Sequence, residues 1–81
     1  MSIENLRKLL EENPDNPDIY YDTGEYYREN GMLSEAIEHY KKAIELDFNY
    51  GMAHSMLIEC YIMNNELNKA IAQSVTFLRL Y

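Results

Sequence analysis

The sequence predicts an all-α fold, built as an α-solenoid of antiparallel helical hairpins. Its 81 residues include only three glycines and two prolines, so few positions interrupt regular structure. Apolar side chains recur three and four residues apart along most of the chain, which is the spacing of one helix face. Residues 17–47 also align without a gap on residues 51–81, at an offset of 34 residues. An internal repeat of this length indicates a helical unit stacked on its own copy.

The first predicted helix is a leading helix over residues 3–12. Asn13-Pro14 ends it, because the residue before a proline is disfavoured in the helical conformation. The apolar residues of this segment fall on one helix face, and its charged residues lie elsewhere. The apolar set is Ile3, Leu6, Leu9 and Leu10. We expect this helix to cap the N-terminal side of the repeats within a single domain, 1–81.

Repeat one covers residues 17–50 and is predicted to form two helices. Asn30-Gly31 separates them, because glycine accepts the positive φ that ends a helix. Ser34 is predicted to cap the second helix, and Asp47 to end it. The face of the first helix is formed by Tyr20, Thr23, Gly24 and Tyr27, at positions i, i+3, i+4 and i+7.

Repeat two covers residues 51–81 and has the same pattern. A helix is predicted over residues 52–63, and a second helix from Leu67 to the end of the chain. Asn64-Asn65 forms the turn between them. Asn65 stands where repeat one has Gly31, and asparagine tolerates left-handed backbone geometry better than most residues.

Seven residues of repeat one carry a family resemblance: Tyr20, Thr23, Gly24, Tyr27, Ala36, Tyr40 and Ala43. Their spacing resembles that of the tetratricopeptide repeat. The resemblance implies a right-handed α-solenoid that acts as a scaffold for protein binding. Repeat two departs from the pattern at His54, Ile58, Ser74 and Phe77, and in repeat one Phe48 replaces the usual proline after the second helix. These departures leave the repeat prediction in place, but the pattern does not define how the two helices of repeat two cross.

The charge of the chain disfavours polyanionic partners. The net charge is −7, and all of it falls in residues 1–40, which hold ten acids and three bases; residues 41–81 hold four of each. Nucleic acids are bound through Lys and Arg, and anionic membrane surfaces attract the same residues. We expect neither nucleic acid nor a membrane as partner.

No sequence motif indicates catalysis, so we expect no enzyme activity, no cofactor and no metal. The phosphate-binding, zinc-protease and serine-hydrolase signatures are missing. His39 and His54 fall on different predicted helices, without the spacing of metal ligands. No apolar run approaches the roughly 20 residues of a membrane span. With one cysteine, Cys60, and no signal-peptide pattern at the start, the expected location is cytoplasmic.

The resemblance also implies a groove, because the first helices of stacked hairpins line the concave side of such an array. In this sequence the implied lining is Asp18, Tyr21, Asp22, Glu25, Arg28, Glu29, Met52, Ser55, Met56, Glu59, Ile62 and Met63. Five acids and three methionines in this set favour a basic, partly apolar protein segment. Family members that clamp a carboxylate use Lys, Arg and Asn there, so Tyr21, Glu25 and Met56 argue against such a clamp. The alternative is a plain solvated face.

The last helix is unusually apolar for the end of a helical array. Residues 68–81 carry two charges, whereas the equivalent residues 34–47 carry six. Ile71, Val75 and Leu78 form one stripe at i, i+4 and i+7, with Tyr81 close by. This predicts self-association as a homodimer, or docking of another subunit. The alternative for this stripe is local fold-back or exposure. The alternative for the function of the chain is a structural fragment or assembly subunit of a longer helical array, without a groove ligand.

Overall fold

A computed structural model describes residues 2–80, and these contain five helices and no strand. In chain order the helices are α1 (Ile3–Glu12), α2 (Pro17–Glu29), α3 (Leu33–Leu46), α4 (Gly51–Met63) and α5 (Leu67–Leu78). α2 packs with α3, and α4 packs with α5, which makes two hairpins. α3 also packs against α4, and α1 against α2, so the hairpins stack with the leading helix at one end. The predicted all-α helical repeat is confirmed.

Side chains fix the starts of the first two helices. Ser2 caps α1, where its Oγ accepts a hydrogen bond of 3.2 Å from the N–H of Asn5. Asn16 caps α2, where its Oδ1 accepts a bond of 3.0 Å from the N–H of Asp18. Pro17 follows at the first helical position, where a proline loses no helical hydrogen bond. These caps satisfy backbone donors that a helix start otherwise leaves without partners.

The two hairpin turns have equivalent left-handed residues. Gly31 has φ 73° and Asn65 has φ 58°. In repeat one the N–H of Met32 then bonds the carbonyl of Tyr27 at 2.9 Å. The corresponding bond of repeat two, one residue beyond Asn65, measures 2.8 Å. The predicted substitution of asparagine for glycine at this position is confirmed.

Two boundaries differ from the sequence-based expectation. Ser34 does not cap α3: the helix begins at Leu33, and the cap position is Met32, whose side chain makes no capping bond. The reason is the turn at Gly31: the N–H of Met32 already bonds the carbonyl of Tyr27, and the helix begins at the next residue. α5 ends at Leu78 rather than at the end of the chain, and Tyr81 lies outside the described residues.

A close contact between α2 and α3 depends on Gly24. A Cβ atom at this position would lie 2.7 Å from Cε1 of Tyr40, whose side chain is fully buried. The ring therefore occupies the space that only glycine leaves open. In repeat two the equivalent positions hold Ile58 and Ser74. A large and a small residue have changed places, which keeps the sum of volumes similar between the repeats.

His54 fills the place of the first aromatic residue in repeat two. It is fully buried, and its ring stacks on Phe77 at a centroid distance of 5.8 Å. Its Nε2 bonds the carbonyl oxygen of Phe48 at 2.7 Å, and its Nδ1 lies 2.6 Å from the side-chain amide of Gln73. Since a carbonyl can only accept, the proton is on Nε2. His54 thus joins the loop after α3 to α5.

Four tyrosines of the two repeats divide into two groups by burial. Tyr40 and Tyr61 are buried, whereas Tyr20 and Tyr27 are half-buried. Cys60 is fully buried, and burial raises the pKa of its thiol to about 11. It packs as a small apolar residue in its protonated form.

Candidate functional site

An acidic stripe runs along α2. Asp18, Asp22, Glu25 and Glu29 occupy positions i, i+4, i+7 and i+11, so their side chains share one face. Asp18, Asp22 and Glu29 are exposed, and Glu25 is half-buried. The base on this face is Arg28, whose Nη2 lies 3.0 Å from Oε2 of Glu25. The stripe therefore carries more negative than positive charge.

Glu25 is held in place from two sides. Arg28 donates two hydrogen bonds to its carboxylate, and the hydroxyl of the buried Tyr40 donates a further one. Burial raises the pKa of Glu25, but these hydrogen bonds outweigh it, so the pKa lies below its usual value. Glu25 is therefore a fixed negative charge that links the exposed face to the core.

Asp22 lies close to other negatively charged side chains. Burial raises the pKa of its carboxyl, and the neighbouring charges of Asp18 and Glu25 raise it further. A cation that approached this side chain would reverse the effect, because an opposite charge favours the ionised carboxylate. The acidic stripe thus has the electrostatic character of a surface that attracts a positive group.

Tyrosine rings connect the acidic stripe to the second hairpin. Tyr21 stacks on Tyr50 with ring centroids 5.3 Å apart and planes 20° apart, and it tilts against Tyr40 at 5.7 Å. Tyr50 donates a hydrogen bond of 2.7 Å to Oδ1 of Asp18. Burial and the Asp18 carboxylate raise the pKa of Tyr50. Because Tyr50 immediately precedes α4, these contacts bring the N-terminal ends of α2 and α4 together.

Tyr50 was not among the groove residues predicted from the sequence. Its stacking on Tyr21 joins residues far apart in the chain, which no local spacing reveals. The one available signal is its position. Tyr50 precedes α4 as the capping residue Asn16 precedes α2, and an aromatic ring is unusual where a small polar cap is expected.

Two open depressions border the acidic stripe. One, of about 230 Å³, lies between α1 and α2 and is lined by Leu6, Asp22, Glu25, Tyr26 and Glu29. The other, of about 730 Å³, lies at the N-terminal ends of α2 and α4. It is lined by Asp18, Asp47, Asn49, Tyr50, Gly51, Met52, Ser55 and Phe77. The larger depression brings together predicted groove residues of both repeats.

The α4 side of the predicted groove is mainly apolar. Met52, Ile62 and Met63 are 58%, 55% and 56% exposed. Ser55 and Glu59 are also exposed. Met56 differs, because it is half-buried and packs against the hydrophobic core. Ile62 and Met63 lie at the far end of α4 and line neither depression.

A second apolar surface lies on α5, and we name it the α5 apolar face. It consists of Leu67, Ile71, Val75 and Leu78, which are 54%, 63%, 44% and 73% exposed. The stripe predicted from the sequence included three of these residues and did not include Leu67. Helical spacing could have identified Leu67, because it lies four residues before Ile71.

The described residues contain no candidate membrane span and no candidate metal site. No helix within residues 2–80 has the length and apolarity that crossing a bilayer requires. The same residues contain no group of three or more His, Cys, Asp or Glu side chains that could hold a metal ion.

Comparison with known proteins identifies similar folds. Residues 17–50 match the family model of the tetratricopeptide repeat. A point mutant of MamA matches 94% of this chain and 56% of its own, with a TM-score of 0.87 and 26% identity. The structure of MamA from Desulfovibrio magneticus RS-1, from position 41 to its end, matches 93% of this chain and 42% of its own. Its TM-score is 0.89 and its sequence identity is 23%. This chain thus spans about half the length of these structures. No curated protein sequence matches it significantly.

Proposed function

We propose that this chain, which carries a tetratricopeptide repeat over residues 17–50, binds a basic, partly apolar segment of a partner protein. Repeats of this family are scaffolds for protein–protein interaction rather than catalysts. The binding surface is formed by the exposed sides of α2 and α4. One observation carries the proposal: the Tyr21–Tyr50 stack joins an acidic face of α2 to a methionine-bearing face of α4.

Charge supports a basic partner. Residues 1–40 have a net charge of −7, and the exposed acids of α2 lie within them. Such a field attracts Lys and Arg side chains, and it increases the rate at which they encounter the surface. The same field repels nucleic acids and anionic lipids, so we propose neither as a ligand. The proposed binding needs no cofactor.

The α4 side supports an apolar component in the same partner. Met52 and Met63 present flexible thioether side chains to solvent, and methionine adapts its shape to different apolar groups. Ile62 extends this surface toward the end of the helix. We propose a cytoplasmic setting for the interaction, in which the free thiol of Cys60 stays reduced.

Binding of a short fluorescent peptide of alternating Lys and Leu residues tests this function. Asp22→Asn and Glu29→Gln should each weaken binding by up to about fivefold, since exposed ion pairs contribute roughly 0.2–1 kcal/mol. Glu35→Gln is the matched control, because Glu35 is an exposed acid on α3. Its affinity should equal that of the unmodified chain.

Two results would contradict the proposal. One is equal binding of a peptide in which Glu replaces every Lys. The other is an affinity that does not fall as salt is raised, because screening weakens attraction between exposed charges.

A second candidate function is that of an assembly subunit, without a groove ligand. The exposure of the α5 apolar face favours it, because large apolar side chains at one end of a helical array offer a docking surface. We propose that this surface mediates self-association. The two functions use different surfaces and are compatible in one chain.

A further inference from the structure

We infer that the α5 apolar face is the interface of a two-fold homodimer, in which α5 packs antiparallel against α5 of a second copy. This inference rests on the second candidate function and names the occupant of the α5 apolar face. It is independent of peptide binding, because α5 lies in the second hairpin and the acidic stripe lies on α2 of the first.

Two isoleucines of the equivalent face in repeat one lie against α4, whereas Lys41, the counterpart of Val75, is exposed. Ile37 of α3 is 7% exposed and borders the same depression as Tyr61 of α4. Ile44 is half-buried and borders another depression together with Leu57 of α4. The counterparts of both isoleucines on α5 are exposed, and no helix covers them among residues 2–80. This surface is therefore of a kind that accommodates a packed helix.

α5 carries fewer charged residues than the equivalent helix of repeat one, α3, which makes it easier to bury. Val75 stands where repeat one has Lys41. Lys69 is the one charged residue within the helix, and it bonds Glu66 at 3.0 Å. The centre of α5 thus presents apolar side chains without a charge that a partner helix would have to desolvate.

The rest of the molecule indicates that the occupant is a second α5. Every large hydrophobic residue with high exposure lies at Met32 or beyond, so within residues 2–31 the opposite end of the array offers no comparable apolar partner. Residues 1–40 also carry the whole net charge of −7, whereas residues 41–81 are neutral. Two copies therefore repel least when they meet through their C-terminal ends. A face that is complementary to itself gives a closed two-fold pair rather than a head-to-tail chain.

The positions of the apolar residues along α5 define the register of the pair. α5 has 12 residues and is about 18 Å long. An antiparallel pair centred between Ser74 and Val75 places Ile71 opposite Leu78 of the partner subunit, and Leu78 opposite the partner's Ile71. Val75 then lies beside the two-fold axis, close to its own counterpart. The acidic stripes of both copies remain open, so the dimer is bivalent for the proposed peptide.

Sedimentation equilibrium from micromolar to near-millimolar concentration measures the association. We expect the unmodified chain to form dimers of twice its 9.6 kDa mass and no larger species. Val75→Lys should raise the dissociation constant at least tenfold, and Leu78→Glu should do the same. Ala72→Glu is the matched control and should change it less than twofold. Val75→Lys and Ala72→Glu introduce the residues of repeat one, so circular dichroism should show unchanged helix content.

Cysteine cross-linking tests the register. Val75→Cys should form a disulfide-linked dimer under mild oxidation, because facing Cα atoms of packed helices lie within the span of a disulfide. Ala72→Cys should cross-link much less, and the native Cys60 is buried.

The dimer is overturned if the unmodified chain is monomeric throughout, if Val75→Lys leaves association unchanged, or if species larger than dimers form. Equal cross-linking of Val75→Cys and Ala72→Cys would overturn the register. Peptide affinity per chain should be the same for Val75→Lys and the unmodified protein, so the two proposals fail independently.

Discussion

Gly24 lies where α2 crosses α3, and Tyr40 fills the space beside it. Gly24→Ala should destabilise the fold by about 1–3 kcal/mol, because the new Cβ would lie 2.7 Å from the ring. This loss outweighs the gain of roughly 1 kcal/mol that alanine brings inside a helix. Urea unfolding followed by circular dichroism measures the effect. In the double variant with Tyr40→Leu the loss should be smaller than the sum of the single losses. Additive losses would show that the two residues do not share this space.

Glu25 makes the stability of the fold depend on acidity. Its pKa is lowered in the folded chain, so its stabilising contribution is fully present above the usual value of 4.5. That contribution is lost as the pH falls through the folded pKa. The free energy of unfolding of Glu25→Gln should therefore be lower than that of the unmodified chain at neutral pH, and the two should converge in acid. Denaturant unfolding at several pH values measures the difference. A difference that stayed constant into acid would contradict the account.

Single residues were predictable from the sequence only where their own chemistry decides the structure. Gly31 and Asn65 were predicted correctly, because few residue types accept a positive φ. Ser34 was predicted wrongly as a cap, because the geometry of the preceding turn decides which residue starts the helix. The stacking of Tyr50 on Tyr21 could not be predicted, since it depends on how the second hairpin docks on the first.

At the level of the helices, the start of α3 is a weak point. Met32 occupies the cap position and provides no side-chain acceptor for the free N–H groups. Met32→Asp should stabilise the fold by about 0.5–1 kcal/mol, because aspartate is among the best capping residues. Ser34→Ala should change stability by less than about 0.5 kcal/mol, because Ser34 lies inside the helix and is exposed. Thermal unfolding compares the two variants. A large loss in Ser34→Ala would restore Ser34 as the cap.

The helices themselves were predictable, because the spacing of apolar residues and the gapless repeat are visible in the sequence. The packing of repeat two was not. His54 departs from the aromatic of repeat one, and only the structure reveals its bonds to Phe48 and Gln73. Repeat one pairs a small residue with a large one, Gly24 with Tyr40, and repeat two reverses the order with Ile58 and Ser74. The sequence does not show that the two positions of each pair are in contact; the packing of the two helices does.

The whole molecule has two surfaces of opposite character. Negative charge is concentrated in the N-terminal half, where four of the ten acids lie along α2, and exposed apolar residues gather on α4 and α5. The charge asymmetry could be read from the sequence, as could the apolar stripe of the last helix. The connection of the acidic stripe to α4 through Tyr21 and Tyr50 required the structure. That connection is the basis for proposing one continuous binding surface.

The central claim, that one partner segment contacts both α2 and α4, is tested most directly by methionine-methyl NMR. Met52, Met56 and Met63 lie on the α4 side of the proposed surface, and Met32 lies in the turn before α3. Titration with the Lys–Leu peptide should shift the methyl signals of the α4 methionines, and Asp22→Asn on α2 should weaken the same shifts. The Met32 signal should stay in place. Shifts confined to Met32, or α4 shifts that are indifferent to Asp22→Asn, would contradict the claim.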